Sequence, residues 1–153
     1  MQEFTFWKNK EKKLVTPDLF SDFAEKAAKA VSGQATDKLN KSTQLRRFFD
    51  DVLTFGSRLK ELPNDRQSVE FEKTLPYLKM LNAKVAYARA RELISPEFKD
   101  FIGISLRQLN DLEDFRVFHT LFEAFMGYYK FFDKEREDRV KEDRNSRQRG
   151  GRF

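Results

Sequence analysis

The chain has 153 residues, no cysteine and a single histidine. Without cysteine, the protein cannot contain a disulfide, a thiol nucleophile or a cysteine-based zinc site. A multi-histidine metal site is excluded as well. No apolar run approaches the roughly 18–20 residues that a membrane span needs. The segment Met1–Phe4 lacks the basic and apolar parts of a signal peptide, so we expect the cytosol as the compartment.

The usual sequence signals of an enzyme are missing. There is no phosphate-binding loop, glycine-rich turn or nucleophile elbow. The neighbouring acids Asp50 and Asp51 point in different directions on a helix, so they do not form a carboxylate pair. We expect His119, beside Phe118, to be structural. The sequence therefore predicts no catalysis, no cofactor and no metal.

Residues that favour strands and turns are scarce. Val, Ile and Thr total 17, and the chain has only 6 Gly and 4 Pro. Apolar residues recur instead at three- and four-residue spacing. This pattern predicts an all-α fold, a single compact bundle of about five helices. We expect the bundle domain at 1–135 and a charged tail, partly helical and then disordered, at 136–153.

Helix starts are marked by side chains that can cap a backbone N–H group. In chain order the candidates are Thr16, Asn40 or Ser42, Ser95 and Asp111. Thr16 and Ser95 each precede a proline, which suits the first helical turn. An acidic segment at 68–73 and Pro76 are expected to precede the third helix. The expected helices are 16–33, 42–62, 77–93, 95–109 and 111–143, with disorder from Asn145 onward.

The positive charge is concentrated in three segments. Residues 36–60 carry six basic and three acidic groups, and residues 74–93 carry four and one. Residues 130–153 carry nine and six. Each segment therefore has a net charge of +3, out of +5 for the whole chain. Such asymmetry indicates a polyanionic partner better than the net charge does.

Two strips of the predicted third helix lie outside its apolar, core-facing strip. At about 100° per residue, Met80, Lys84, Tyr87 and Arg91 fall on one strip. Cations that flank a tyrosine can meet a phosphate backbone while the ring stacks on a base or ribose. The alternative interpretation is an ordinary solvated face. Ala83, Ala86 and Ala90 form a second strip, small enough for another helix to approach closely.

Two other helices carry less specific signals. On the second helix, Arg47 and Asp51 are either part of a binding face or an ordinary exposed pair. The fifth helix is apolar over more than half of its circumference, including Val117 and Tyr128. Such a helix is either central in the bundle or half covered by another subunit, and both readings stay open.

Three segments, at 39–50, 78–91 and 115–132, are notable for their motifs and their order. Together they resemble one protein family, the small subunit of type III-A CRISPR effector (Csm) complexes. Leu39–Asp50 is similar to the family's Thr-Gln-Leu-Arg-basic-aromatic helix start. Leu78–Arg91 resembles its Lys-aliphatic-Ala-Tyr-Ala segment, with Ala90 where glycine is frequent. Phe115–Phe132 resembles its aromatic C-terminal helix. The resemblance covers roughly residues 36–132.

This resemblance implies a non-enzymatic role in antiviral defence. Copies of the small subunit stack as a filament along the guide RNA and its target RNA, and contact the RNA backbone, while other subunits of the complex perform the chemistry. Guide–target pairing supplies the sequence specificity. The implied RNA-binding residues are Lys41, Gln44, Arg46, Arg47, Lys84 and Arg91, followed by Lys79 and Arg89. Arg89 lies near the apolar strip, so an interface or structural role is its alternative.

Two other functions compete with this hypothesis. One is a helical protein–protein adaptor without RNA contact, suggested by the apolar fifth helix. The other is the analogous small subunit of a related type III complex.

Overall fold

The computed structural model describes residues 1–151 and confirms the all-α class. The described residues contain one small hairpin and six α-helices. The helices are α1 (Ala24–Gly33), α2 (Ser42–Lys60), α3 (Asn64–Lys79), α4 (Leu81–Ala90), α5 (Pro96–Arg107) and α6 (Leu112–Gly150). Within residues 1–151, no helix combines the length and the apolar character needed to cross a bilayer.

The predicted starts of α5 and α6 are confirmed. The Ser95 hydroxyl accepts a hydrogen bond from the Phe98 N–H at 3.4 Å, with Pro96 in the first turn. Asp111 and Asp114 form a reciprocal capping box at the start of α6. Both arrangements satisfy N–H groups that the first helical turn leaves without a partner.

The two earlier cap predictions are wrong. The Thr16 hydroxyl donates to the Thr5 carbonyl at 2.8 Å, and α1 begins only after a π-helical turn, Leu19–Phe23. Helix α2 has no side-chain cap; Lys41 precedes its first residue, Ser42. Asn40 is buried and serves another purpose, described below.

The segment between α2 and α4 differs most from the prediction. Residues 64–79 form a helix, α3, although the acidic stretch and Pro76 indicated a break. Pro76 lies inside α3, where it removes the N–H that would bond the Glu72 carbonyl. Helices α3 and α4 meet at Met80, whose backbone is also in the right-handed helical region. The predicted start of the third helix, residue 77, is therefore 13 residues after the observed start of α3 at Asn64. Together, α3 and α4 resemble one bent helix.

An N-terminal hairpin that the sequence patterns did not indicate packs against the α5–α6 corner. Strands β1 (Trp7–Asn9) and β2 (Leu14–Val15) pair antiparallel. The Phe6 N–H donates to the Gln108 side chain at 2.8 Å, and the Trp7 indole donates to buried Asp114 at 2.7 Å. Burial alone would raise the pKa of Asp111, but the hydrogen bond and charge of Lys10, together with the hydrogen bonds to Asp114, outweigh it, so the pKa is lowered.

Helix α6 is the centre of the bundle. It packs against α1, α2 and the π-helical turn. Rings from α5 and α6 stack closely in the core; the Phe101 and Phe125 centroids are 4.6 Å apart. Val117 and Leu121 are buried, and Phe131 is 57% exposed. Centrality therefore explains the buried part of the broad apolar face, whereas Phe131 remains exposed.

Asn40 connects three parts of the fold. Its side-chain amide donates to the Val31 carbonyl at 3.0 Å, and its side-chain oxygen accepts from the Ser95 N–H at 2.8 Å. Its own N–H donates to the Leu93 carbonyl at 2.9 Å. The Tyr129 hydroxyl donates to the Asn40 carbonyl, and burial raises the pKa of that hydroxyl. These bonds join the end of α1, the α4–α5 loop and α6.

The last part of α6 is longer than predicted. The helix continues without a break through residue 135 to Gly150. The prediction of disorder at 145–150 is therefore wrong. Arg152 lies outside the described residues. The division into a bundle at 1–135 and a tail at 136–153 stays a prediction.

Candidate nucleic-acid interface

A strip of cationic and apolar side chains follows α3 and α4. Its residues are Lys73, Tyr77, Met80, Lys84, Tyr87 and Arg91, which we call the aromatic–cation strip. They are spaced by four, three, four, three and four residues, so they lie on one face of the bent helix over about 27 Å. Tyr77, Met80 and Tyr87 are 72%, 54% and 65% exposed. Lys73, Lys84 and Arg91 are exposed as well.

Contacts within the strip hold its α4 end in place. The Arg91 guanidinium lies over the Tyr87 ring, 5.7 Å from the ring centroid. A cation in this position is attracted to the ring face and keeps its N–H groups available to an anion. The Tyr87–Arg91 pair therefore places a positive charge over one face of an exposed ring.

An ion pair joins the strip to α2. Lys84 Nζ lies 3.0 Å from Asp51 Oδ2. Arg47 is one helical turn before Asp51, so it lies on the same side of α2. Within residues 1–151, Lys73, Arg47 and Arg91 form no ion pair. The Lys84–Asp51 pair thus joins α4 to α2, the helices of the two segments with the predicted charge excess, and Arg47 lies on the same side of α2 as this pair.

The other predicted α2 cation lies elsewhere. Arg46 is about 100° around the helix from Arg47. It pairs with Asp50 at 2.9 Å and lies over the Phe49 ring at 5.5 Å. It lines a groove between α2 and α6 that also contains Lys130 and Glu123. The predicted set is therefore divided between two sides of α2.

The remaining predicted residues have different environments. Lys41 is exposed at the start of α2, and Gln44 and Lys79 are half-buried. The Arg89 guanidinium donates to the Ile94 carbonyl at 3.4 Å, which closes the α4–α5 loop. Its position agrees with the structural alternative given above.

Sequence reasoning missed Lys73 and Tyr77 as members of the strip. The reason is the predicted helix start at residue 77, which ended the strip at Met80. The signal was available as a seven-residue repeat, since Lys73, Met80 and Tyr87 are each seven residues apart. Tyr77, Lys84 and Arg91 repeat in the same way.

The single histidine is part of the packing. His119 is half-buried, and its ring centroid is 6.1 Å from that of Phe115. Burial lowers its pKa, Lys60 adds to this effect and Glu123 opposes it. Among residues 1–151, no group of His, Asp and Glu side chains could hold a metal ion.

Comparison with known proteins identifies the family. The family model described as Csm2 Type III-A matches residues 16–135, which is most of the chain and includes α1–α5 and the bundle part of α6. Comparisons with curated proteins and with solved structures gave no match. Because the match extends over well more than half of the chain, the chain belongs to the Csm2 family, the small subunit of type III-A CRISPR Csm complexes.

Proposed function

We propose that the protein is a non-enzymatic, cytoplasmic subunit that binds guide and target RNA through the RNA backbone, independently of sequence, in antiviral defence. The aromatic–cation strip beside Arg47 is the observation that carries the proposal. Csm2 membership already places the chain in the type III-A complex with other subunits. RNA contact by this particular surface is the further step.

The chemistry of the strip suits a phosphate backbone. Lys73, Lys84 and Arg91 supply charges at regular intervals, as sequence-independent binding requires. Tyr77 and Tyr87 can stack on a ribose or an unpaired base, which tolerates any sequence. The Lys84–Asp51 pair is about half exposed on each side. An exposed pair is worth at most about 1 kcal/mol, so a phosphate can replace Asp51.

The other predicted RNA-binding residues take secondary roles in this proposal. Lys41, Gln44 and Arg46 lie at the start of α2, where they extend the contact to the far side of that helix. Lys79 flanks the strip at the α3–α4 junction. Arg89 supports the loop after α4 and is the least suited to touch RNA.

The variant Arg47→Gln, Lys73→Gln, Lys84→Gln, Arg91→Gln tests the RNA proposal. We expect its affinity for a fluorescently labelled RNA to fall roughly 100-fold at low salt. Each lost phosphate contact should lower the slope of log K against log salt by about 0.7. Four contacts would therefore lower it by about 3. Fluorescence anisotropy over a salt series measures both quantities, and circular dichroism checks that the helices remain.

A matched variant controls for net charge. Lys12→Gln, Lys26→Gln, Lys29→Gln, Lys99→Gln removes four exposed cations that belong neither to the strip nor to the predicted RNA-binding residues. Equal losses in the two variants would contradict the proposal. An unmodified protein that binds no RNA at any salt would favour the protein–protein adaptor.

We also propose that copies of the subunit stack through the outer face of α4. Ala83, Ala86 and Ala90 are all exposed there, next to the strip. Small side chains allow the backbones of two helices to approach closely, and an apolar exposed face favours a partner. Filament contacts on this face would keep the strips of successive copies in line with one RNA.

The substitution Ala86→Glu tests the stacking surface. We expect it to lower self-association in sedimentation velocity over a concentration series, because a charged side chain separates the helices. Ala30→Glu, at an exposed position of α1, is the matched control and should leave association unchanged. An unmodified protein that stays monomeric at all concentrations would refute stacking by the free subunit.

A further inference from the structure

The C-terminal part of α6 extends beyond the segment that the family model matches. The match ends at residue 135, and the helix continues to Gly150. Residues 137–151 are exposed without interruption. At 1.5 Å per residue, the helix from Lys134 to Gly150 is about 25 Å long. We call residues 134–150 the α6 arm.

Charge is divided sharply along the arm. Residues 134–143 contain four basic and five acidic side chains, whereas residues 144–152 contain four arginines and no acid. In the first part, Lys134 pairs with Asp138 at 3.1 Å, and Arg136 pairs with Asp133. Within residues 1–151, Arg144, Arg147 and Arg149 form no ion pair. The end of the arm is therefore a cluster of unneutralised cations.

Helix stability accounts for only part of this cluster, since Arg147 and Arg149 lie in the last turn of α6 and Arg144 does not. Cations near a helix C-terminus interact favourably with the helix dipole, but the effect falls off within the last turn. Arg144 lies more than a turn before the end of α6 and gains little from it. The arm also has only one apolar residue, Val140, so it lacks the apolar face that a membrane surface or a hydrophobic groove requires.

The base of the arm adjoins the start of α2. Lys141 and Arg144 line a groove that also contains Lys41 and the first residues of α2. Lys41 belongs to the segment that first indicated RNA binding. The arm thus adjoins Lys41 on the bundle, although Asp37, Asp133 and Glu137 partly neutralise the groove itself.

We propose that the end of the α6 arm is a second RNA-binding site, which grips the phosphate backbone through Arg144, Arg147 and Arg149. The arginine guanidinium forms paired hydrogen bonds with phosphate oxygens, and every cation at this end is arginine. The sequence Arg149-Gly150-Gly151-Arg152 has the composition of the Arg-Gly-Gly segments that bind single-stranded nucleic acid. The site lies outside the strip and extends the proposed function to a separate part of the chain.

The variant Arg144→Gln, Arg147→Gln, Arg149→Gln tests the arm in the full-length protein. Glutamine keeps the helix propensity close to that of arginine. With a labelled oligouridine as probe, we expect the slope of log K against log salt to fall by about 2, because three contacts to single-stranded RNA are lost. The control Lys12→Gln, Lys26→Gln, Lys29→Gln also removes three exposed charges and should change the slope much less.

Two results would overturn the arm site. One is an arm variant that binds oligouridine like the unmodified protein, which would leave an acidic protein as the partner of the arm. The other is an equal loss in the arm variant and its control, which would assign the effect to net charge. Adding the arm substitutions to the fourfold strip variant separates the two sites, since an independent arm lowers the remaining binding whether or not the strip contributes.

Discussion

Replacing Asn40 with alanine should lower the free energy of unfolding by about 3–5 kcal/mol. The buried Ser95 N–H would lose its partner, at a cost of about 1–3 kcal/mol, and the Val31 carbonyl would keep only the 3.2 Å hydrogen bond from the Gln34 N–H. Asn40 also has a φ of 57°. Asparagine tolerates this left-handed conformation better than alanine, so strain adds to the loss. Thermal unfolding followed by circular dichroism should show a midpoint lower by about 10 °C.

Two further variants separate the causes of this loss. Asn40→Gly relieves the backbone strain but still removes both side-chain bonds, so it should remain strongly destabilising. Asn145→Ala, at an exposed position of α6, should change the midpoint little. If Asn40→Ala unfolds at the same temperature as the unmodified protein, Asn40 is not the connection between α1, the α4–α5 loop and α6.

Replacing Phe122 with alanine should have an effect of similar size. Phe122 is fully buried, and its ring lies 5.2 Å from that of Phe49 and 5.7 Å from that of Phe101. Removing a buried phenylalanine side chain typically costs about 3–5 kcal/mol, because the cavity closes only in part. Urea unfolding measures the loss as a lower midpoint with an unchanged slope.

Two further substitutions serve as controls for Phe122→Ala. Phe122→Leu retains most of the apolar volume and should cost roughly 1–2 kcal/mol. Phe131→Ala removes the same atoms as Phe122→Ala from a side chain that is 57% exposed, so it should cost much less. Equal losses at positions 122 and 131 would mean that α6 is not central.

Local signals predicted much of this fold. Ser95-Pro96 and Asp111 mark helix starts because each supplies a cap within three residues of the N–H group it satisfies. The apolar spacing of α5 and α6 predicted their buried faces, since an amphipathic helix has to bury one stripe. These features depend on neighbours along the chain, which a single sequence contains.

The features that were missed depend on contacts distant in sequence. Trp7 donates to Asp114, 107 residues away, and Asn40 bonds to Ser95, 55 residues away. Pro76 indicated a break, but the packing of Phe71 and Leu78 against the bundle holds α3 together across it. Tertiary packing overrides local propensity in such a segment.

The candidate site was predicted in part for the same reason. The α4 half of the strip follows from helical spacing alone. Tyr77 and Lys73 were missed because the predicted helix began at residue 77 and not at Asn64. The proximity of Arg47 to the strip depends on the Lys84–Asp51 pair between two helices. The separation of Arg46 from Arg47 could have been inferred, because consecutive residues of a helix point about 100° apart.

Because α6 is one uninterrupted helix, the position of the arm depends on the packing of the helix in the core. The helix that carries Phe118, Phe122 and Phe125 in the core also carries the arginine cluster, with no glycine or proline between Gly127 and Gly150. A rotation of about 5° in the core would move the tip of the 25 Å arm by about 2 Å. A small rearrangement of the buried rings in the core would therefore displace the arginines at the end of the arm.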